Sequence, residues 1–439
     1  MKKHKLALFL LPLFLLTLRF DLYPQTQPLD RTIEEIVRAI TPDIVALRRD
    51  IHAHPELSLT EKRTAALVAD RFKALGLEVR TGIGGTGVLG VLRGGKPGPV
   101  VGYRADMDAL PVTEETGLAF ASKERASLDG REVGVMHACG HDVHTSLLLG
   151  VATVLTRLKK DITGTILFVA QPAEEMGDGA RLMLEDGLFK DIKPTAMFAL
   201  HVDDSAPAGV FKYVPGYVMA NADTFSLTVF SEGCHGANPH LCPDPIVVGA
   251  QVVVALQVMI SRQIDVHHDT VITVGSFHAG SASNIIPQRA DLKATVRTYG
   301  DDQRRLVREK IERTIAGLCQ AAGARYEFDY AYGLPATYND PELTKRAAAV
   351  AERVLGKANV VEGQPGMIAE DFSYYGREVP AALLRLGTQP KGSTATLHSP
   401  YFMVDEDAIP VGIRVMSAIL LDALTRRGSG NSGTGNSGT

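Results

Sequence analysis

Three stretches of this 439-residue chain constrain its fold more than the rest. Pro99-Val100-Val101-Gly102-Tyr103-Arg104-Ala105-Asp106 is a short apolar run ending in polar residues. Gly164-Thr165-Ile166-Leu167-Phe168-Val169-Ala170-Gln171 repeats the pattern and runs into Pro172-Ala173-Glu174-Glu175, and Ala196-Met197-Phe198-Ala199-Leu200 runs into His201. Nearly unbroken apolar runs of this length predict strands buried on both faces, hence a parallel or mixed sheet covered by helices. In such sheets ligands gather beyond the carboxyl ends of the strands. That edge would receive Asp106, Glu174-Glu175 and His201. Between the first two runs lies Met136-His137-Ala138-Cys139-Gly140-His141-Asp142-Val143-His144, followed by an apolar helical pattern from Ser146 to Leu158. The cluster would therefore sit at a helix N-terminus on the same rim.

The rest of the chain supports an α/β fold with two domains, as its length suggests. Asp30 opens a helical pattern, and Thr41-Pro42 restarts it with a capping residue before an N1 proline. Thr60 caps a second helix that runs to about Leu75. From about Ala222 the rhythm becomes β-α-β-β-α-β, the order of ferredoxin-like α+β units. Helical and apolar patterns typical of α/β sheets then return. The expected divisions are a signal-like segment over 1–29, a catalytic domain split over 30–217 and 332–426, an inserted domain over 218–331 and a Gly/Ser-rich flexible tail over 427–439. Lys2-Lys3-His4-Lys5 before Leu6 to Leu18 reads as an export signal. No small-x-small cleavage site follows, so an uncleaved membrane anchor is the alternative. A net charge of -4 gives no electrostatic case for nucleic acid or an anionic membrane surface. The apolar stretch Ile246 to Ile260 reads as core or subunit interface. Four cysteines are too few and too scattered for a disulfide framework, and Cys242 has no assignable role.

The chemistry-bearing residues fit a metal-dependent hydrolase. A thiol and imidazoles are borderline-soft ligands for zinc and similar ions. Cys139 and His141 flank Gly140, so one turn could aim both at one centre. Adjacent glutamates point in different directions. One can bind metal while the other reaches a water, and a hydrolytic site needs such a base. Taken alone, Cys139 reads as a small buried hydrophobe, His201 as a core histidine, and Arg297 as half of a strand-face salt bridge. His137 and His144 read as supporting or structural residues.

The sequence resembles the zinc-dependent aminoacylase and carboxypeptidase-like amidohydrolases, in particular the branch of hippurate hydrolases and auxin-conjugate hydrolases. The resemblance spans about Ile40 to Leu424. It is carried by Arg104 to Pro111, His137 to Asp142, Gln171 to Glu175, Gly236 to His240, Asn284 to Pro287, and Glu370 to Tyr375. It implies that Cys139, His141, Glu175, His201 and His398 bind two divalent ions, of zinc, manganese, cobalt or nickel. Glu174 would be the general base for a metal-activated water. Asp106 would orient a ligand, and His235 in the inserted domain would help polarise the scissile carbonyl. Asn284 and Arg297 would hold a substrate carboxylate, which suits an arginine fork. The implied activity is hydrolysis of N-acyl amino acids, with a carboxypeptidase or dipeptidase acting on short peptides as the alternative. A non-catalytic metal-binding relative is a further reading, against which the intact Glu174 argues. The resemblance also implies that the inserted domain is a lid and carries a homodimer contact. The chain departs from the family pattern at Ile368, where glycine is common. It departs again at Asp203-Asp204, and at Ser231-Glu232-Gly233 before Cys234.

Overall fold

The computed structural model describes residues 28–425. Residues up to 27, within the segment expected to be an export signal, and the expected Gly/Ser-rich tail lie outside the described residues. Among the described residues the largest sheet has eight strands. Their spatial order is Glu78–Ile83, Gly87–Arg93, Thr163–Gln171, Lys96–Asp106, Ala196–Pro207, Ala381–Gln389, Phe211–Tyr213 and Val360–Glu362. The third to sixth in that order are mutually parallel, and the first two join antiparallel, so the sheet is mixed.

Burial explains the apolar runs. Ile166, Phe168 and Ala170 pack into the core on one face, and Leu167 and Val169 pack into the core on the other. Successive side chains point to opposite faces, so a strand covered on both sides shows no polar alternation. Helices Pro28–Ala53, Lys62–Ala74, His141–Arg157, Pro341–Leu355 and Ala408–Ala423 contribute to the first core. The shorter Gly179–Glu185 and Ser373–Glu378 contribute to the second.

Two helix starts differ from expectation. Thr41 does not cap a new helix; Pro28–Ala53 runs through Pro42, and the Thr41 hydroxyl donates back to the Val37 carbonyl at 2.7 Å. The continuous stripe Ile33, Val37, Ile40, Ile44, Leu47 and Ile51 is buried. That burial outweighs the backbone bond a proline forfeits. Thr60 likewise gives way to Glu61 at the next helix start, and the Thr60 hydroxyl donates to Leu57 O at 2.6 Å.

Residues 222–334 build a separate antiparallel sheet in the order Thr270–Ala279, Arg289–Thr298, Ala222–Phe230, Arg325–Leu334. Helices Pro245–Gln263 and Asp301–Ala322 pack on it around Phe225, Leu227, Val252, Leu256, Val307 and Ile311. The edge order of a ferredoxin-like unit results. The chain then returns: Ala381–Gln389 pairs in parallel with Ala196–Pro207 inside the large sheet. Cys234 and Cys242 form one local disulfide, which gives Cys242 the role that the sequence left unassigned. Two of four cysteines suffice for one local bond, where a framework needs more, so their small number did not exclude it. Cys139 and Cys319 are free and buried.

Candidate metal centre

The site forms where two parallel strands end beside a third that runs on past His201 to Pro207. Asp106 pairs in register with Gln171 at the ends of their strands, and His201 lies on the adjoining strand. Helix His141–Arg157 starts against them. Its N-cap Gly140 has φ +79°, and a Cβ there would lie 2.7 Å from Val202 Cγ2. Only glycine fits that turn without strain, and the turn lets Cys139 and His141 face one space. Cys139 Sγ is 3.7 Å from His201 Nε2. His141 Nε2 is 3.8 Å from Glu175 Oε1 and 3.9 Å from Glu174 Oε2. His398 arrives from the C-terminal segment with its Nε2 3.6 Å from Glu175 Oε1. Its N–H donates to Ala138 O at 2.8 Å, and its φ is +66°. A non-glycine residue in this region carries backbone strain that its surroundings must enforce.

The glutamate pair is held by residues that the sequence alone does not single out. Ala173 before it has φ +54°. Asp108 accepts the Glu174 N–H at 3.1 Å on one oxygen and the Glu175 N–H at 3.0 Å on the other. Glu61 accepts the Ala173 N–H at 2.9 Å. Two carboxylates thus pin the turn that aims Glu174 and Glu175. Asp108 lies in plain view in Arg104-Ala105-Asp106-Met107-Asp108. Its acceptor role depends on contacts 66 and 67 residues along the chain.

Behind the site sits a buried charge network. Arg104 donates to Gln171 at 2.8 Å, Asp106 at 2.6 Å, Glu370 at 2.9 Å and Asp371 at 2.8 Å. Asp106 also accepts from His144 Nδ1 at 2.6 Å, and His144 Nε2 accepts the Val202 N–H at 2.9 Å. Asp106 therefore steadies His144 and the Val202 backbone beside His201. Burial opposes charge on Asp106, yet His141, Arg104 and His144 hold its carboxyl well below the usual range.

The donor set fits metal. The His141 Nδ1 faces the Asp108 carbonyl at 2.8 Å and the His201 Nδ1 faces the Val202 carbonyl at 2.7 Å. A carbonyl only accepts, so each Nδ1 carries a proton and each Nε2 is turned to the shared space. His141 Nε2 and Glu175 Oε1 are buried and, among the described residues, lack hydrogen-bond partners. Such groups are costly unless something binds them. Burial also pushes the Cys139 thiol well above its ordinary range. Burial, then Glu370 and Asp371, push Glu174 well up, and burial pushes Glu175 up to about 7. A divalent cation among these atoms would offset the crowding of buried negative charge. Groups of ligand atoms within 4.8 Å of one another unite Cys139, His141 and His201, and also Cys139, Glu175 and His398.

The structure thus brings Cys139, His141, Glu174, Glu175, His201, His398 and Asp106 together. His235 and Asn284 lie in the inserted unit on a small ribbon, where His235 pairs with Ile285 and Gly236 N–H donates to Asn284 O at 2.8 Å. Among the described residues no hydrogen bond or ion pair ties this ribbon to the Cys139 group. Arg297 projects from Arg289–Thr298, is half-buried, and donates to the Val296 carbonyl at 3.3 Å. Among the described residues it has no salt-bridge partner, so the strand-face ion pair is not formed.

Residues 102–422 match Peptidase family M20/M25/M40. The chain is 39% identical over 382 residues to thermostable carboxypeptidase 1 of Saccharolobus solfataricus, covering 86% of this chain and 94% of that protein. It is 38% identical over 330 residues to the hippurate hydrolase of Campylobacter jejuni, covering 75% and 84%. It superposes on a dinuclear metal-binding peptidase of the M20 family from Bacillus subtilis with a TM-score of 0.77 and 32% identity, over 88% of this chain and 99% of that one. A match over most of the chain, joined to a sheet edge lined with metal donors and a glutamate pair, places this protein in peptidase family M20/M25/M40 as a metal-dependent amidohydrolase.

Proposed function

We propose that the protein hydrolyses the amide bond of N-acyl amino acids, with Glu174 as the general base. The observation that carries this is the turn pinned by Asp108, which sets Glu174 beside Glu175 at the Cys139 group. Cys139, His141, Glu175, His201 and His398 would hold two divalent cations, of zinc, manganese, cobalt or nickel, which when bound polarise the amide and make a water easier to deprotonate. Glu174 then takes the proton of the attacking water and returns it to the leaving amine. Its raised pKa suits a group that must both accept and release a proton. His235 donates to the carbonyl oxygen when the inserted unit, acting as a lid, brings it over the substrate. Arg297, free of a carboxylate partner at salt-bridge distance among the described residues, and Asn284 hold the substrate carboxylate. The hippurate hydrolase relative supports an acylated amino acid, and the carboxypeptidase relative supports a peptide.

Two further readings belong to this proposal. Val247, Val254 and Val258 are exposed on helix Pro245–Gln263, and among the described residues Thr270–Ala279 is an open sheet edge. Exposed apolar residues beside an unpaired edge favour a homodimer through the inserted unit. Export by the N-terminal segment agrees with the disulfide, since such bonds persist in oxidising compartments.

The test is a metal-reconstituted assay of hippurate, an acetyl amino acid and a dipeptide. The acyl amino acids are expected to turn over faster than the dipeptide; the reverse order would make the protein a peptidase. Glu174→Gln should keep its metal and lose about 10²- to 10⁴-fold in kcat, the usual share of general-base catalysis. Full activity in that variant would remove Glu174 from the role.

A further inference from the structure

We infer that the Cys234–Cys242 disulfide is the positioning device for His235, and that turnover depends on this bond being closed. The inference rests on the reading of His235 as the residue that polarises the substrate carbonyl. Cys234 immediately precedes His235, and the bond ties it across the loop to Cys242. Cys234 and His235 pair antiparallel with Ile286 and Ile285. The chain then folds back: Asn238 N–H donates to His235 O at 2.8 Å, and Ala237 N–H donates to His235 Nδ1 at 3.0 Å. A ring nitrogen that accepts an N–H is unprotonated, so the neutral ring carries its proton on Nε2. That tautomer presents a donor, which is what a carbonyl oxygen requires.

Packing does little to hold this turn. His235, Gly236, Ala237 and Asn238 are exposed, and Leu241 is 68% exposed. A covalent closure around so small a loop removes conformations that backbone hydrogen bonds alone would leave open. Positioning of a catalytic donor is sensitive to displacements of about 1 Å. The other two cysteines of the chain are free and buried, so a reductant has one bond to act on. A dithiol would open it by exchange: the sulfur–sulfur bond breaks, each cysteine sulfur ends with a hydrogen, and the dithiol closes to its own disulfide. Activity would then belong to an oxidising compartment, where the clamp stays shut.

The experiment compares wild type, the Cys234→Ser/Cys242→Ser pair and His235→Ala. Each is treated with dithiol, desalted, reloaded with metal and assayed on the best acyl amino acid. Opening the bond should lower wild-type kcat by about tenfold, less than the loss of about 10²-fold or more for deleting an oxyanion donor outright. KM, metal content and far-ultraviolet circular dichroism should stay unchanged. Reoxidation should restore wild type and leave the serine pair low. If His235→Ala loses turnover while reduction leaves kcat intact, the clamp is refuted and the role of His235 stands. If His235→Ala turns over normally, the role of His235 falls and the clamp with it. Should the serine pair misfold, reduction and reoxidation of folded wild type still decide whether the clamp acts.

Discussion

The floor of this site and the ribbon above it are built in opposite ways. On the floor, Cys139, His141, Asp106 and Asp108 are buried and held by hydrogen bonds from several elements at once. On the ribbon, His235 is exposed and held by a two-residue strand pairing, its own turn and one disulfide. The floor must gather charges that repel or lose solvation, so it needs dense support. The ribbon must meet a substrate that comes and goes, so it stays open to solvent and is stiffened locally. Floor substitutions should therefore damage the fold or the metal, and substitutions outside it should change rate or selectivity alone.

The largest expected effect is on Arg104. Arg104→Met leaves Asp106, Glu370 and Asp371 buried without their shared cation. Removing one partner from a buried charge cluster costs about 3–5 kcal/mol, so the variant should melt far below wild type or fail to accumulate as soluble protein. Differential scanning calorimetry measures this. An unchanged melting temperature would mean that the floor is not charge-supported, and the contrast would collapse.

Asp108→Asn comes next. It keeps the shape but can accept the Glu174 and Glu175 N–H groups on only one side-chain oxygen, where the carboxylate uses two. The turn should shift, with kcat falling about 10²-fold as for misplacements of about 1 Å. Metal content should fall with it, because Glu175 sits on the same turn. Stopped assays paired with metal analysis read both. A fall in kcat with full metal retention would separate Glu174 from Glu175 and sharpen where the turn matters.

The two regions also differ in how far the sequence announces them. The floor strands are legible because burial on both faces erases polar alternation, as in Ile166 to Ala170. Cys139 and His141 are legible because rare ligand types crowd around one glycine, and His398 because of its place in a family pattern. Asp108 is not, since an acidic residue in a loop says nothing about backbone donors far along the chain. Arg104 is silent for the same reason: its partners Glu370 and Asp371 lie 266 and 267 residues away. Pro42 misleads because propensity is local while the stripe from Ile33 to Ile51 is tertiary. The disulfide escapes because spacing alone does not say which cysteines meet.

Ile368 should give the smallest structural effect and the cleanest view of the contrast. It is 57% exposed and stands two residues before Glu370, whose carboxylate lies within 4.8 Å of that of Glu174. Its backbone carbonyl accepts the Ala220 N–H at 2.9 Å, so the backbone is anchored while the side chain is exposed. Ile368→Gly removes apolar surface that an acyl group could cover, and leaves the charge network intact. Stability should change by little, since surface substitutions stay within about 0.5 kcal/mol, although glycine adds a small entropic cost. Selectivity should move more, because apolar contacts of a methylene or two are worth about 10- to 200-fold in kcat/KM. The ratio of kcat/KM for benzoyl over acetyl amino acids should therefore fall, with metal content unchanged. If that ratio held steady while the melting temperature dropped, Ile368 would belong with the floor, and the division between support and selection would have to be redrawn.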